Sequence, residues 1–167
     1  IDVEEVLTQV DDLRKRRDEL NAKIARNNGL MHILKPWKDL TTPLGIIKDT
    51  VHCKIRMGTI PLQFIEIFER EVIEQELLFW KEVSRGHEGM HIIITYHRAI
   101  SDWVDALLTK VEFTHWEPKQ FADTPAVELS RLEEQNKSYA SELYEISQKA
   151  QKLCEHITAL MVYADHY

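Results

Sequence analysis

The chain has 167 residues, of which 44% are hydrophobic and 29% charged, so a packed core is expected and wholesale disorder is excluded. Its 21 basic and 28 acidic residues give a net charge of −7, which excludes the basic surface of a typical nucleic-acid-binding protein. Two cysteines, Cys53 and Cys154, are too few for a disulfide framework or a zinc motif. Because the sequence opens on Ile1 and Asp2 rather than Met, we expect it to be part of a longer protein.

Glycine and proline divide the chain into three parts. All five glycines and all five prolines lie between Gly29 and Pro125, so the two flanks contain almost no helix breakers. We expect a first coiled-coil helix over residues 1–35, an α/β globular lobe over residues 36–125, and a returning coiled-coil helix over residues 126–167.

Hydrophobic residues in both flanks recur alternately every three and four positions. The first series is Val3, Val6, Val10, Leu13, Arg17, Leu20, Ile24, Asn27, Met31 and Leu34. The second series is Leu129, Leu132, Asn136, Tyr139, Leu143, Ile146, Ala150, Leu153, Ile157, Leu160 and Ala164. A repeat sustained over so many turns is typical of a coiled coil, here a long antiparallel two-helix coiled coil with the lobe at its tip. The alternative is a helical bundle whose other members lie outside this sequence.

Polar side chains interrupt the first series at Arg17 and Asn27. Polar seam residues weaken a coiled coil but fix its register and its partner. The antiparallel register predicts that Arg17 lies near Ile146, with Glu142 or Glu145 as the partner of its charge.

The middle of the chain predicts alternating strands and helices. In chain order the predicted elements are a strand at 51–57, a turn at 58–61, a helix at 62–73, a strand at 77–83, a hairpin loop at 85–89, a strand at 90–97, a helix at 100–111 and a strand at 113–116. This βαββαβ order is the ferredoxin-like pattern, in which two helices cover one face of an antiparallel sheet. The predicted fold class is therefore α+β.

No catalytic chemistry is evident in the sequence. It contains none of the common motifs for phosphate binding, serine hydrolysis or zinc peptidase activity. His87, His91 and His97 lie around one predicted strand and His52 precedes Cys53 on another, but no further thiol or carboxylate joins them at ligand spacing. We interpret these as ordinary histidines and expect no catalytic residue, no cofactor and no metal site.

Three short motifs occur in a set order along nearly the whole chain. They are Pro36-Trp37 at the end of the first helix, Met57-Gly58-Thr59-Ile60-Pro61 between strand and helix, and Phe121-Ala122-Asp123-Thr124-Pro125 at the start of the return helix. With the heptads around them, they resemble the cytoplasmic N-terminal region (distal lobe with coiled-coil arm) of subunit I of V/A-type rotary ATPases, the counterpart of eukaryotic V-ATPase subunit a. Phe121-Ala122 departs from the family's more usual Gly-containing approach. The matched residues are structural, so no functional residue is carried over.

The resemblance implies a non-catalytic stator component of a membrane complex that transports hydrogen ions (or sodium ions) with ATP synthesis or hydrolysis. In that family the region is a collar arm at the cytoplasmic face of the membrane, where the coiled-coil subunits of the peripheral stalk dock. The membrane half of the same chain forms the ion path. No nucleic-acid partner and no small-molecule substrate are expected. The alternative is a ligand-binding regulatory domain with a dimerising coiled coil, and an enzyme built on the lobe is a third hypothesis.

The strand patterns also predict a docking surface for the stalk. Odd-numbered residues of the first strand, Val51 to Met57, are expected to face the helices, which leaves a basic to neutral free face for an acidic partner. The expected partner-binding residues are His52, Lys54, Arg56, Trp80, Ile93, Thr95, His97 and Trp116.

Overall fold

Long helices and an antiparallel sheet make up the chain, so the α+β class expected from the sequence is confirmed. The computed structural model describes residues 3–165. In chain order its elements are α1 (Val3–Leu34), β1 (Cys53–Ile60), α2 (Ile65–Val72), β2 (Leu78–Gly86), β3 (Gly89–His97), α3 (Ser101–Lys110), β4 (Thr114–Trp116) and α4 (Pro125–Asp165). Short 3₁₀ turns lie at Lys35–Trp37, Leu44–Ile46, Leu62–Phe64 and Arg98–Ile100.

The chain divides into two units. One comprises the residues up to Met31 together with those from Arg131 onward, and the other comprises the residues from His32 to Ser130. Residues 1–2 and 166–167, which belong to the two expected coiled-coil helices, lie outside the described residues.

Helix α4 begins with a side-chain cap at Thr124. Thr124 Oγ1 accepts a hydrogen bond from the N–H of Val127 at 3.4 Å, and Pro125 occupies the first helical position, where its missing N–H is not needed. The carboxylate of Glu128 accepts a hydrogen bond from the N–H of Asp123 at 3.0 Å. Together these contacts satisfy donors that the start of a helix leaves without partners.

The helices of the first unit bury the residues of the predicted three-four series. In α1 the buried or half-buried members include Val6, Val10, Leu13, Leu20, Ile24, Asn27 and Met31. In α4 they include Leu132, Asn136, Tyr139, Leu143, Ile146, Ala150, Leu153, Ile157 and Leu160. Val3 is 38% exposed, and the side chain of Ala164 lies outside the described residues.

The charged member of this stripe is Arg16 rather than Arg17. The Arg17 side chain is 52% exposed, whereas Nε of Arg16 donates to Oε1 of Glu142 at 2.8 Å. This hydrogen bond lowers the pKa of Glu142 below its usual value. The expected acidic partner is therefore correct and the expected arginine is wrong. The step of seven positions from Leu13 to Leu20 divides as three plus four, through Arg16, or as four plus three, through Arg17, and hydrophobicity alone does not distinguish the two.

An amide network crosses the helix pair at Asn27, which is 7% exposed. Its Nδ2 donates to Oε1 of Gln135 and to Oδ1 of Asn136, both at 3.1 Å. Nδ2 of Asn136 donates in turn to Oδ1 of Asn28 at 3.0 Å. Since Asn27 pairs with Asn136 and the earlier Arg16 pairs with the later Glu142, α1 and α4 run antiparallel.

The described strands of the second unit form one antiparallel sheet in the order β2-β3-β1-β4. Strand β1 pairs with β3 from Cys53↔His97 to Ile60↔Met90. The β2–β3 hairpin closes at the pair Gly86↔Gly89, and β2 carries an irregularity between Glu82 and Ser84. The predicted turn at 58–61 is corrected, because β1 continues through Ile60.

Helices α2 and α3 cover one face of the sheet. The buried cluster on this face comprises Ile60, Ile65, Phe68, Val72, Leu78, Met90, Ile92, Ile94, Tyr96, Val104, Leu107 and Val111. Leucine, isoleucine and aromatic side chains of this number supply the main driving force for folding of the unit.

Replacing Gly58 with alanine is expected to destabilise the sheet. A Cβ at this position would lie 2.2 Å from the carbonyl oxygen of Thr114 and 2.4 Å from the Phe113 ring, so β4 would have to move. We expect a loss of about 1–3 kcal/mol in the free energy of unfolding, measured by urea denaturation. Gly86→Ala is the matched control, because its Cβ meets nothing within 4 Å. Equal stability of the two variants would contradict the close packing of β4 on β1.

Asn27→Leu is expected to stabilise the helix pair and to loosen its register. Leucine adds buried apolar area at the seam, while Gln135 and Asn136 remain close enough to water to keep hydrogen bonds. We expect the free energy of unfolding to rise by about 1 kcal/mol, with additional oligomers in analytical ultracentrifugation. Asn21→Leu, at an exposed position of the same helix outside the amide network, serves as the control. A clear loss of stability in Asn27→Leu alone would show that the amide network itself holds the pair together.

Candidate partner-binding surface

The pairing of β1 with β3 decides which side chains share a face. Residues directly opposite one another on antiparallel strands point to the same side of the sheet. Gly58 lies opposite Ile92, and Ile60 lies opposite Met90, so the even-numbered residues of β1 are on the face that the helices cover. The odd-numbered residues Cys53, Ile55, Met57 and Thr59 are on the other face, which we call the second face.

The face assignment of β1 that the sequence suggested is therefore wrong. Lys54 and Arg56 lie on the helix side of the sheet, opposite Tyr96 and Ile94, and not on a free basic face. The reason is that both faces of β1 carry apolar residues, so alternation alone does not distinguish core from surface. The predicted strand ended at Met57 and therefore left out Ile60. The burial of Ile60 shows that the even-numbered residues of β1 face the helices.

The guanidinium of Arg56 does not reach a free face either. Its Nη1 donates to Oδ1 of Asp49 at 2.8 Å and to the carbonyl oxygen of Ile55 at 2.8 Å. Oδ1 of Asp49 also accepts the N–H of Ile55 at 3.0 Å. Burial raises the pKa of Asp49, but these hydrogen bonds outweigh burial and hold it below its usual value. Asp49 and Arg56 thus lie at the edge of β1 beyond the residues that pair with β4, and the Asp49 carboxylate satisfies the N–H of Ile55 there.

The two predicted tryptophan anchors have different surroundings. Trp80 lies on the helix side and packs edge-to-face on Phe68, with ring centroids 5.2 Å apart, so it belongs to the core. Trp116 lies on the second face and stacks on Trp37, with centroids 5.2 Å apart. Such stacking adds to the stabilisation that burial of the rings provides.

Trp37 covers one end of the second face. Its ring meets the imidazole of His91 edge-on at 5.6 Å, and the hydroxyl of Ser84 donates to the carbonyl oxygen of Pro36. His91 is only 6% exposed, and its Nδ1 is 2.8 Å from Oγ1 of Thr59. Burial lowers the pKa of His91, because the charged imidazolium is poorly solvated there.

The other end of the second face is open. Ile93, Thr95 and His97 lie there as predicted, beside two residues that the sequence analysis missed, Ile55 and Phe79. Phe79 is 76% exposed, which is unusual for a phenylalanine in a strand. The run of apolar residues from 77 to 80 contained the signal, since a strand covered on one face cannot bury all four. We refer to Ile55, Phe79, Ile93, Thr95 and His97 as the open patch.

His52 lies just before β1 and is exposed. Its ring stacks on that of His97 with centroids 6.2 Å apart, and Nδ1 of His97 accepts the N–H of Ala99 at 3.0 Å. No group of three or more His, Cys, Asp or Glu side chains within residues 3–165 is arranged to hold a metal ion. Of the helices that the structure describes, none combines the length and apolarity needed to cross a membrane.

The chain combines a long helix, an α/β unit with a β2-β3-β1-β4 sheet, and a second long helix, and a solved structure has a similar fold. This is the crystal structure of the cytoplasmic N-terminal domain of subunit I, a homologue of subunit a, of V-ATPase. The match covers 91% of this chain with a TM-score of 0.54 and 13% sequence identity. The chain spans about half, 51%, of the length of that protein. No protein-family model matches the sequence, and no curated protein matches it.

Acidification is expected to weaken the second unit through His91. Because its pKa is lower in the folded than in the unfolded chain, the unfolded chain takes up the proton first as the pH falls below about 6.5. The free energy of unfolding then falls by up to about 1.4 kcal/mol per pH unit, until the pH reaches the pKa of His91 in the folded chain. His91→Gln should flatten this part of the curve of unfolding free energy against pH. Identical slopes for the two proteins between pH 7 and pH 5 would contradict the assignment.

Proposed function

We propose that this chain is a non-catalytic stator component of a V/A-type rotary ATPase, equivalent to the cytoplasmic N-terminal region of subunit I. The observation that supports the proposal is the similarity of fold, over 91% of the chain, to that domain of a V-ATPase. A stator must resist the torque of the rotor, and two helices that share a seam resist bending better than one helix does. The role requires no reactive group, and the contacts described above are structural.

We infer in addition that the finer architecture follows the resemblance. The observed strand order, β2-β3-β1-β4, is that of a ferredoxin-like sheet. We infer that both strand–helix–strand crossovers are right-handed, as nearly all such connections are. The burial of every third and fourth residue in α1 and α4 supports an antiparallel coiled coil. The proposed domains are the helix over residues 1–35, the lobe over 36–125 and the returning helix over 126–167.

The partners that the proposal names are the coiled-coil subunits of the peripheral stalk and the membrane half of the same chain. The complex would transport protons or sodium ions and place this region at the cytoplasmic face of the membrane. In this complex the chain would act as the collar arm to which the stalk attaches.

The docking surface that we propose is the open patch. It combines an exposed aromatic ring, Phe79, with the half-buried aliphatic side chains of Ile55 and Ile93, and an exposed ring beside accessible aliphatic groups can serve as an anchor at a protein interface. Lys81 lies opposite Ile93 and is exposed, so the rim offers a positive charge to an acidic helix. This patch replaces Lys54, Arg56 and Trp80, which lie on the helix side of the sheet.

Phe79→Ser is expected to weaken the binding of the purified peripheral-stalk subunits from the same organism at least about tenfold, measured by isothermal titration calorimetry. The variant should fold, because the ring is 76% exposed. Ile73→Ser is the matched control, since Ile73 is 80% exposed but follows α2 on the opposite face.

The outcomes separate the surface from the function. If the unmodified chain does not bind the stalk, the proposed function is wrong. If the chain binds and Phe79→Ser binds equally well, the stalk docks elsewhere and only the surface assignment fails.

A further inference from the structure

A cavity of about 420 Å³ lies at the sheet edge where β4 ends. Strand β4 pairs only with residues 57–59 of β1, so the rest of that edge is left to the 3₁₀ turn at 44–46, the residues after it, and the segment at 117–121. The two loop segments are tied together, because the N–H of Gly45 donates to the carbonyl oxygen of Ala122 at 3.0 Å. A cavity of this size is in the range of small-molecule sites.

The floor of the cavity is apolar. Leu44 and Phe121 are 3% and 6% exposed, and both line it together with Met57 and Trp116. Trp116 is held in place by its stack on Trp37, so its ring offers a fixed surface. An aromatic or aliphatic group bound here would leave water and pack against these apolar side chains.

Arg56 supplies an anchored guanidinium to the same cavity. One nitrogen, Nη1, is fixed by Asp49 and by the carbonyl oxygen of Ile55, as described above. Within the described part of the chain, no acceptor contacts its Nε or Nη2, and the arginine side chain is 26% exposed. A guanidinium whose position is already set loses little freedom when its other donors bind a carboxylate in a forked geometry.

The charges around the cavity favour an anion. Glu117 already pairs with Lys119 at 2.9 Å, and Asp49 pairs with Arg56. Lys48 also lines the cavity, and no acidic partner of its ammonium group is found among residues 3–165. The lining therefore carries one more cation than anions, which suits a single negative charge better than a doubly charged phosphate.

We propose that this cavity binds a small organic carboxylate with an apolar body. The carboxylate accepts hydrogen bonds from the free donors of Arg56, with Lys48 nearby, and the apolar body lies against Trp116 and Phe121. This site lies beyond the stator role and does not depend on it. It also gives the α/β unit a means of sensing a metabolite of that chemical class.

Titration of the uniformly ¹⁵N-labelled chain with phenylacetate, followed by NMR, tests the site. The expected result is saturable shifts of amides in residues 44–49, 55–57 and 115–121, with a dissociation constant on the order of millimolar for so small a probe. Phenylacetamide, which has the same shape and no charge, should bind several-fold more weakly. Absence of saturable shifts, shifts confined to other regions, or equal binding of the amide would overturn the proposal.

Substitutions in the cavity assign the anion to its partners. Arg56→Lys keeps the positive charge but loses the forked pair of donors. Lys48→Met removes an exposed positive charge and should leave the fold unchanged. Each substitution should weaken phenylacetate binding about threefold or more. Lys81→Met, on strand β2, is the control and should bind as the unmodified chain does. If Arg56→Lys fails to fold, Lys48→Met decides alone. Unchanged affinity for phenylacetate in the folded cavity variants would overturn the assignment. Phe79→Ser, which lies in the open patch, should leave phenylacetate binding unaltered, whatever its effect on stalk binding.

Discussion

Strand β1 is hydrogen-bonded along its length to β3 and over three residues to β4, and its side chains must fit two different apolar environments. Gly58 and Ile60 belong to the core under the helices, while Met57 belongs to the face that Trp37 and Trp116 partly cover. Because the side-chain period of a strand is two, a shift of one residue in the pairing of β1 with β3 would exchange these sets. The core, the open patch and the position of Arg56 beside the cavity all follow from this single register.

The long helices were predictable from the sequence almost residue by residue. A helix that packs along one seam must place an apolar side chain there every three or four residues, and few side chains can violate this rule without leaving a gap. The three-four repeat could not predict whether Arg16 or Arg17 forms the ion pair, because a long arginine side chain can reach a partner from the edge of the apolar stripe. Only the position of Glu142 on the facing helix selects Arg16.

The elements of the sheet were predictable, and so was the face on which Ile93, Thr95 and His97 of β3 lie, but the faces of β1 were not. The lengths and order of the strands follow from local apolar runs and turns, whereas the face of β1 depends on what packs above and below it. Asp49 pairs with Arg56 from a loop seven residues earlier, and Trp37 stacks on Trp116 across 79 positions of sequence. Contacts of this kind produce no periodic pattern in the sequence, so the complete open patch and the cavity could not be predicted from it.

The irregularity between Glu82 and Ser84 has a consequence for the behaviour of the protein in solution. Strand β2 is an edge strand of the sheet, and a long, regular edge strand is a template on which the strands of further chains can pair. An irregularity in the middle of the strand breaks the ladder of free backbone groups into two short pieces, and the ion pair between Arg85 and Glu82 places charges beside it. Association of identical sheets edge to edge is thereby disfavoured at the strand that carries the exposed Phe79.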